Sequence, residues 1–169
     1  PERPHQSAAR RVKVAAGQRP MAVVLTCADS RVPPELIFDR GVGDLFVLRV
    51  AGNSDTGEVL ASIEYAVEYL GAPVVLVLGH SGCGAVAAAV HGRDAVGHLP
   101  GLLAALEPAV ALARGRAGDL VDQAAQAHVA LVGERLRAAQ PVLAPRVAAG
   151  ALVVAGAFYD LRTGLVELL

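Results

Sequence analysis

The chain has 169 residues, a length typical of one domain with its own buried core. Hydrophobic residues make up 54% and charged residues only 18%, which excludes an intrinsically disordered chain. Lysine and arginine total 15 against 16 aspartates and glutamates, so the net charge of -1 disfavours proteins held on nucleic acid or anionic lipid by bulk charge.

Short apolar runs of strand length alternate along the chain with segments of helical character. The predicted strands are 21–27, 45–50, 74–78 and 151–157, followed by a short edge strand at 165–169. The predicted helices run from 33–34 to about 41 and then over 55–70, 82–91, 99–114 and 119–139. Strands that alternate with helices require crossover connections. We therefore predict a single α/β domain with a mostly parallel four-stranded sheet plus a short edge strand, and helices on both faces.

The first twenty residues differ in composition from the rest of the chain. Residues 1–20 are polar and basic, with too little apolar pattern for a core, and are interpreted as the remnant of an N-terminal arm. Residues 21–169 form the predicted domain. The longest uncharged apolar runs within it fall short of the roughly 18 residues that a membrane-spanning helix needs, so no membrane span is expected.

Three polar features stand out within apolar patterns. Asp55 with Glu58 three residues later resembles a capping box at a helix start. Arg49 lies inside the strand pattern LFVLRV, where a charge is costly unless paired, so we expect it to meet a carboxylate or an interface. His128 falls on the apolar face of its helix and is predicted to be a core or interface histidine.

Both cysteines of the chain follow predicted buried strands, in neighbourhoods rich in polar side chains. Cys27 is followed by Asp29 and Arg31, and the third predicted strand is followed by His80, with Cys83 three residues later. The carboxyl ends of neighbouring parallel strands meet at one edge of a sheet, where ligands of such sheets bind. Two thiolates and an imidazole form a set that zinc prefers, and three protein ligands leave a fourth position open, as in catalytic sites. The simpler readings are buried free thiols and a structural Asp–Arg ion pair.

The motifs C-x-D-x-R and H-x-x-C, each after an apolar strand, resemble those of the β-class carbonic anhydrases. The similarity extends through PPELIFDRGVGDLFVLRVAGN (33–53), SIEYAVEYLG (62–71) and VLGHSGCGAV (77–86). It covers most of residues 17–91 and returns in AFYDLRTG at 157–164, whereas residues 95–150 match only as helical filler. Taken together the two motifs are highly specific.

The resemblance implies a reaction and a role for each residue of the cluster. Cys27, His80 and Cys83 would bind one Zn²⁺ per chain, and Asp29 and Arg31 would form the catalytic dyad. Arg31 would hold Asp29 ionised, and Asp29 would orient a zinc-bound hydroxide that attacks carbon dioxide to give bicarbonate and a proton. The chain would then be a lyase.

The family has two variants, and the sequence favours the one with an open metal site. In the closed variant the Asp can move onto the metal, and a Trp–Arg–Tyr trio binds inhibitory bicarbonate. Arg49 and Tyr159 match two members of that trio, but Val24 stands where the Trp should be. In the open, plant-like variant, substrate-cleft residues are a Gln, a Phe and a Tyr. They are matched here by Gln18, Phe46 and Tyr65.

The resemblance also predicts partners for the chain. The family's cleft lies at a dimer interface, so Phe46 and Tyr65 would serve the zinc of a neighbouring subunit in a homodimer or a higher even oligomer. Gly84 is assigned to substrate binding, although Gly82 and Gly84 could equally serve a turn or close packing. Because the chain begins with Pro1, most of the family's helical arm is expected to be missing. The expected compartment is the cytoplasm, with export left open.

Two alternatives to carbon dioxide hydration remain. Some relatives of the family hydrolyse carbon disulfide or carbonyl sulfide on the same zinc site, and motifs at the metal do not separate these substrates. A non-catalytic zinc-binding or thiol-sensing protein is the other alternative, but it leaves Asp29 and Arg31 without a role.

Overall fold

The computed structural model describes residues 5–169 and shows one five-stranded sheet. Its strands are β1 (Ala22–Cys27), β2 (Leu45–Val50), β3 (Val74–His80), β4 (Val153–Tyr159) and β5 (Val166–Leu168). Their order across the sheet is β2-β1-β3-β4-β5. β1 to β4 are all parallel, and β5 pairs antiparallel with β4 at the edge. The predicted α/β class, the four parallel strands and the short edge strand are confirmed.

The register of the sheet brings the predicted site residues to one edge. Cys27 is the last residue of β1 and pairs with Val50 at the end of β2. His80 is the last residue of β3, which lies directly beside β1. β3 is two residues longer than predicted, so His80 belongs to the strand and its position is fixed by the sheet. All these strand ends are carboxyl ends, where parallel sheets build their sites.

Seven α-helices and one short 3₁₀ turn occur among residues 5–169. The helices are α1 (Ala8–Val14), α2 (Pro34–Ile37), α3 (Gly57–Glu68), α4 (Gly84–Val90), α5 (Leu99–Ala113), α6 (Leu120–Ala138) and α7 (Leu143–Ala148). The 3₁₀ turn spans Ala51–Asn53. No helix in this part of the chain is both long and apolar enough to cross a bilayer.

Helices cover both faces of the sheet, but unequally. On one face, α3, α6 and α7 bury the main core, which includes Leu25, Ile63 and Leu136. On the other face a smaller cluster around Val24 is packed against Ile37 of the short α2. A third cluster joins α4, α5 and α6 to the carboxyl edge of the sheet, next to the cysteines.

Three local features differ from the sequence prediction. Asp55 does not cap α3, whose N-cap is Thr56 without a side-chain hydrogen bond, because the Asp55 carboxylate is instead paired with Arg135 of α6. The predicted capping box is therefore wrong. Two unpredicted helices also form. α1 begins at a Ser7 cap and has no buried residue, and α7 is held by one fully buried side chain, Leu143.

His128 is buried in α6 as predicted, with 1% of its surface exposed. Its Nε2 lies 3.2 Å from the Ser54 hydroxyl, whereas its Nδ1 has no partner among the described residues. Burial lowers the pKa of His128 to about 4, with the nearby Arg135 charge acting in the same direction and Asp55 opposing it. The imidazole is therefore neutral in the folded protein at neutral pH.

This burial makes stability depend on pH. Below about pH 6.5 the unfolded chain protonates His128 and the folded chain does not, so the free energy of unfolding falls until both states are protonated near pH 4. The loss attributable to His128 is about 3 kcal/mol. The free energy of unfolding, measured with urea at several pH values, should show this loss in the wild type and not in His128→Leu. An equal pH dependence in both proteins would contradict the assignment.

Candidate metal centre

Three potential metal ligands converge at the carboxyl edge of β1 and β3. The sulfurs of Cys27 and Cys83 and a ring nitrogen of His80 all lie within 4.8 Å of one another, and all three residues are buried. Cys83 reaches this edge because it is the N-cap residue of α4, directly after the turn that follows β3. The cysteines are free thiols, with sulfurs 3.9 Å apart. The sequence-predicted set is thus brought together.

The donor atoms fit a zinc ion. In a tetrahedral site with Zn–S bonds of about 2.3 Å, two sulfurs lie about 3.8 Å apart, close to the separation of Cys27 and Cys83. His80 is fully buried, and its Nε2 has no hydrogen-bond partner among the described residues. Its Nδ1 lies 2.9 Å from the Ser81 carbonyl, to which it donates. That contact fixes the tautomer and leaves the Nε2 lone pair free for a metal.

The two thiols also carry the charge that a cation needs. A hydrogen bond from Cys83 lowers the pKa of Cys27 to about 4, against the opposing effect of burial. The same contact and burial raise the pKa of Cys83 well above its ordinary value. One proton therefore leaves the pair easily, and the second is retained until a cation offsets the charge. Metal binding to such a pair releases that proton.

Asp29 and Arg31 form a bidentate ion pair beside the three ligands. Arg31 donates from Nε to Asp29 Oδ1 at 2.9 Å and from Nη2 to Oδ2 at 2.7 Å, and its backbone N–H also reaches Oδ1. These hydrogen bonds hold the pKa of Asp29 well below its usual range, so the carboxylate is ionised. Oδ2 lies 3.9 Å from His80 Nε2. The carboxylate thus lies beside the three potential ligands and outside the group whose donor atoms converge.

Arg49 anchors the segment that carries Cys27 and Asp29. It donates to the backbone carbonyls of Cys27 and Asp29, whereas a carboxylate or an interface was expected. The charge is tolerated because β2 is an edge strand and Arg49 is exposed. The charge inside an apolar strand was a valid signal of a special role, but the partner was not predictable from it.

A second set of contacts, not predicted from the sequence, fixes the turn between His80 and Cys83. The Gly82 N–H donates to Asp122 Oδ1 of α6 at 2.8 Å, and the Ser81 hydroxyl accepts from the Leu161 N–H at 2.9 Å. Gly82 has φ +59°, a conformation that favours glycine, so its turn role is required. Nothing in the local sequence of Asp122, some forty residues away, indicated this contact.

Of the predicted cleft residues, Phe46 and Tyr65 lie away from the Cys27, His80 and Cys83 cluster of their own chain, whereas Gly84 directly follows Cys83. Phe46 pairs with Val23, four residues before Cys27, which places it about 13 Å along the sheet from that ligand. Tyr65 is 47% exposed, with its ring centroid 6.3 Å from that of Phe46. Gln18 is exposed in the irregular segment before β1, and Gly84 is the exposed first residue of α4.

Comparison with known proteins places this site in a family. The sequence profile described as Carbonic anhydrase matches residues 22–166, nearly the whole chain. Carbonic anhydrase 2 of Mycobacterium tuberculosis is 43% identical over 169 residues, which cover 97% of this chain and 81% of that protein. A carbonic anhydrase of Mycolicibacterium smegmatis is 39% identical over 173 residues, 99% of this chain and 84% of that protein.

Solved structures agree in fold and class. One of two tetrameric β-carbonic anhydrases from the filamentous ascomycete Sordaria macrospora superposes with a TM-score of 0.86 at 29% identity, covering 94% of this chain and 84% of that one. The Coccomyxa β-carbonic anhydrase in complex with acetazolamide gives 0.84 at 30% identity, covering 94% and 75%. The chain therefore belongs to the carbonic anhydrase family of lyases, and within it to the β class.

Proposed function

We propose that this chain hydrates carbon dioxide reversibly with one zinc ion held by Cys27, His80 and Cys83. The observation that supports the metal assignment most directly is the fully buried His80 Nε2, which has no hydrogen-bond partner within residues 5–169 and lies within 4.8 Å of two thiol sulfurs. A buried nitrogen without a partner is costly, and a metal ion would remove that cost. The family supports carbon dioxide as the substrate.

In this proposal Asp29 and Arg31 orient the reaction. Zinc at this position would activate water for attack on carbon dioxide near neutral pH. The ionised Asp29 accepts a hydrogen bond from the attacking water at Oδ2, which lies 3.9 Å from His80 Nε2. This hydrogen bond orients the water so that a lone pair of the water oxygen points at the substrate. Arg31 keeps both carboxylate oxygens fixed and negatively charged.

The geometry of the dyad favours the open form of the site. Both oxygens of Asp29 are occupied by Arg31, and an Asp that moved onto the metal would have to give up those contacts. Val24, at the position of the missing Trp, is buried in the sheet and offers only an apolar side chain. The open variant accordingly remains our proposal for this chain.

Stopped-flow hydration of carbon dioxide by the zinc-loaded protein, at pH 7 and near pH 8.5, tests this function. Fast turnover at both values is the expected result. Turnover only at the higher pH would contradict the open variant while supporting the reaction. Zinc-loaded protein that releases sulfide from carbonyl sulfide but forms no bicarbonate from carbon dioxide would contradict the proposed substrate.

We further propose a homodimer, or an assembly of dimers, in which the cleft of one subunit is completed by the other. Phe46 and Tyr65 lie together at the end of the sheet opposite their own metal ligands, so they are placed to line a partner's site. The exposed Tyr65 also contacts Tyr69, which is 77% exposed. This exposed aromatic cluster is suited to an interface.

Mixed dimers give a direct test of a shared cleft. An Asp29→Asn chain and a Phe46→Ala chain should each be impaired alone. In their heterodimer one site carries both changes and the other carries none, so unfolding and reassembling an equal mixture should restore about a quarter of wild-type turnover. If Phe46 served its own site, every site would carry one change and the mixture would show no recovery.

A further inference from the structure

A buried polar contact links α6 to the segment that follows β2. His128 lies in the middle of α6, and its Nε2 is 3.2 Å from the hydroxyl of Ser54. Two turns further along the helix, Arg135 makes a bidentate ion pair with Asp55. Residues 52–54 are buried, and the helix therefore holds them from two points.

The same segment touches the metal centre. The Gly52 N–H donates to the sulfur of Cys27 at 3.4 Å, and the Ser54 hydroxyl reaches the Gly52 carbonyl at 3.5 Å. Gly52 has φ +69°, and a Cβ there would lie 3.2 Å from the Leu106 side chain, so the segment has little room to move. Contacts thus run without a gap from His128 through Ser54 and Gly52 to Cys27.

The hydrogen-bond network assigns the protons along this path. We assign the single proton of the Ser54 hydroxyl to the Gly52 carbonyl, 3.5 Å away; the hydroxyl then accepts from His128, and the ring proton is on Nε2. The neutral ring is then a permanent donor, and only its weaker acceptor, Nδ1, stays unpaired. An aliphatic side chain would fill this position without the cost of burying an imidazole, which indicates a role beyond packing.

We propose that His128 is a positioning residue for the metal-binding thiolate of Cys27, acting through Ser54 and Gly52. The inference rests on the proposed role of Cys27 as a metal ligand. By holding the 52–54 segment, His128 keeps the Gly52 N–H aimed at the sulfur. An N–H donor stabilises negative charge on a thiolate and fixes the direction of its lone pair toward the metal.

Cobalt(II) in place of zinc gives a readout that simple packing does not affect. Loss of the hydrogen bond leaves the Cys27 thiolate richer in electrons, so its charge-transfer band to cobalt should move to longer wavelength in His128→Leu. Affinity for cobalt, measured by chelator competition, should fall about tenfold. His128→Gln, whose amide nitrogen can reach the place of Nε2, should restore both values. Val129→Ala, a fully buried neighbour on α6, should lower stability and leave the band unchanged.

The outcomes separate this inference from the proposed metal site. A wild-type protein without thiolate-to-cobalt bands would overturn both. Wild-type bands together with an unchanged band and affinity in His128→Leu would overturn only the positioning role. If His128→Leu does not fold, Ser54→Ala interrupts the same path while leaving α6 intact. The same band shift and loss of cobalt affinity are expected of it, and their absence would overturn the positioning role.

Discussion

The Cys83→Ala variant should purify without zinc and without measurable carbon dioxide hydration. Structural zinc sites with four ligands release about 10–16 kcal/mol on binding, so one ligand supplies about 2.5–4 kcal/mol and its removal should weaken zinc binding by about two to three orders of magnitude. The measurement is the zinc content of protein purified under saturating metal, together with affinity from chelator competition. The variant should also unfold at lower temperature, because bound metal stabilises only the folded state.

Val86→Ala is the matched control for this result. Val86 lies in the first turn of α4, is 2% exposed, and packs in the same cluster as Cys83, so its truncation leaves a similar local cavity without removing a potential ligand. It should lose stability but keep one zinc per chain and most of its turnover. Full retention of zinc by Cys83→Ala would contradict the ligand set. Equal zinc loss in both variants would indicate that the cavity, and not the thiol, is responsible.

How far the sequence could predict this fold depended on how each element is stabilised. β1 and β3 are buried on both faces, so their continuous apolar runs were recognisable without further information. α1 lacks any buried residue and α7 is anchored mainly by Leu143, so neither has the apolar periodicity that identifies a helix. Asp55 was misread because a carboxylate beside a helix start can serve a cap or a distant arginine, and sequence spacing does not tell which.

The candidate site also has a part that the sequence could predict and a part that it could not. The three potential ligands and the Asp29–Arg31 pair were predictable because rare residue types stand directly at strand ends, where the topology brings them together. The groups that hold these residues in place were not predictable, because they are backbone groups or side chains from distant elements. The hydrogen bond from the Gly52 N–H to the Cys27 sulfur involves a backbone group, which no residue type in the sequence indicates. Asp122 reaches the Gly82 N–H because the start of α6 lies at the carboxyl edge of the sheet.

The Asp29→Asn variant should retain zinc and lose nearly all turnover. The substitution preserves the size of the side chain but removes its charge, and an amide presents one acceptor oxygen where Arg31 now meets two. The single amide oxygen either keeps its contact with Arg31 or turns to the attacking water. The NH₂ group of the asparagine can then present a donor where an acceptor is needed. Loss of one positioned hydrogen-bonding group costs roughly 100- to 1000-fold in kcat, and a loss of that order is expected here.

Zinc content and kcat measured together make this test specific, because Asp29 is adjacent to the three ligands and not one of them. Asp44→Asn is the matched control. Asp44 accepts from Arg10 at 2.7 Å, and its carboxylate is 15% exposed against 16% for Asp29, but it lies on the loop before β2, at the opposite end of the sheet. It should lose the ion pair to α1, keep one zinc per chain, and lose far less turnover than Asp29→Asn, even though Phe46 lies two residues away. Asp29→Asn with wild-type turnover would remove the dyad from the mechanism, whereas a joint loss of zinc and turnover would make Asp29 a support of the metal instead of an orienting group.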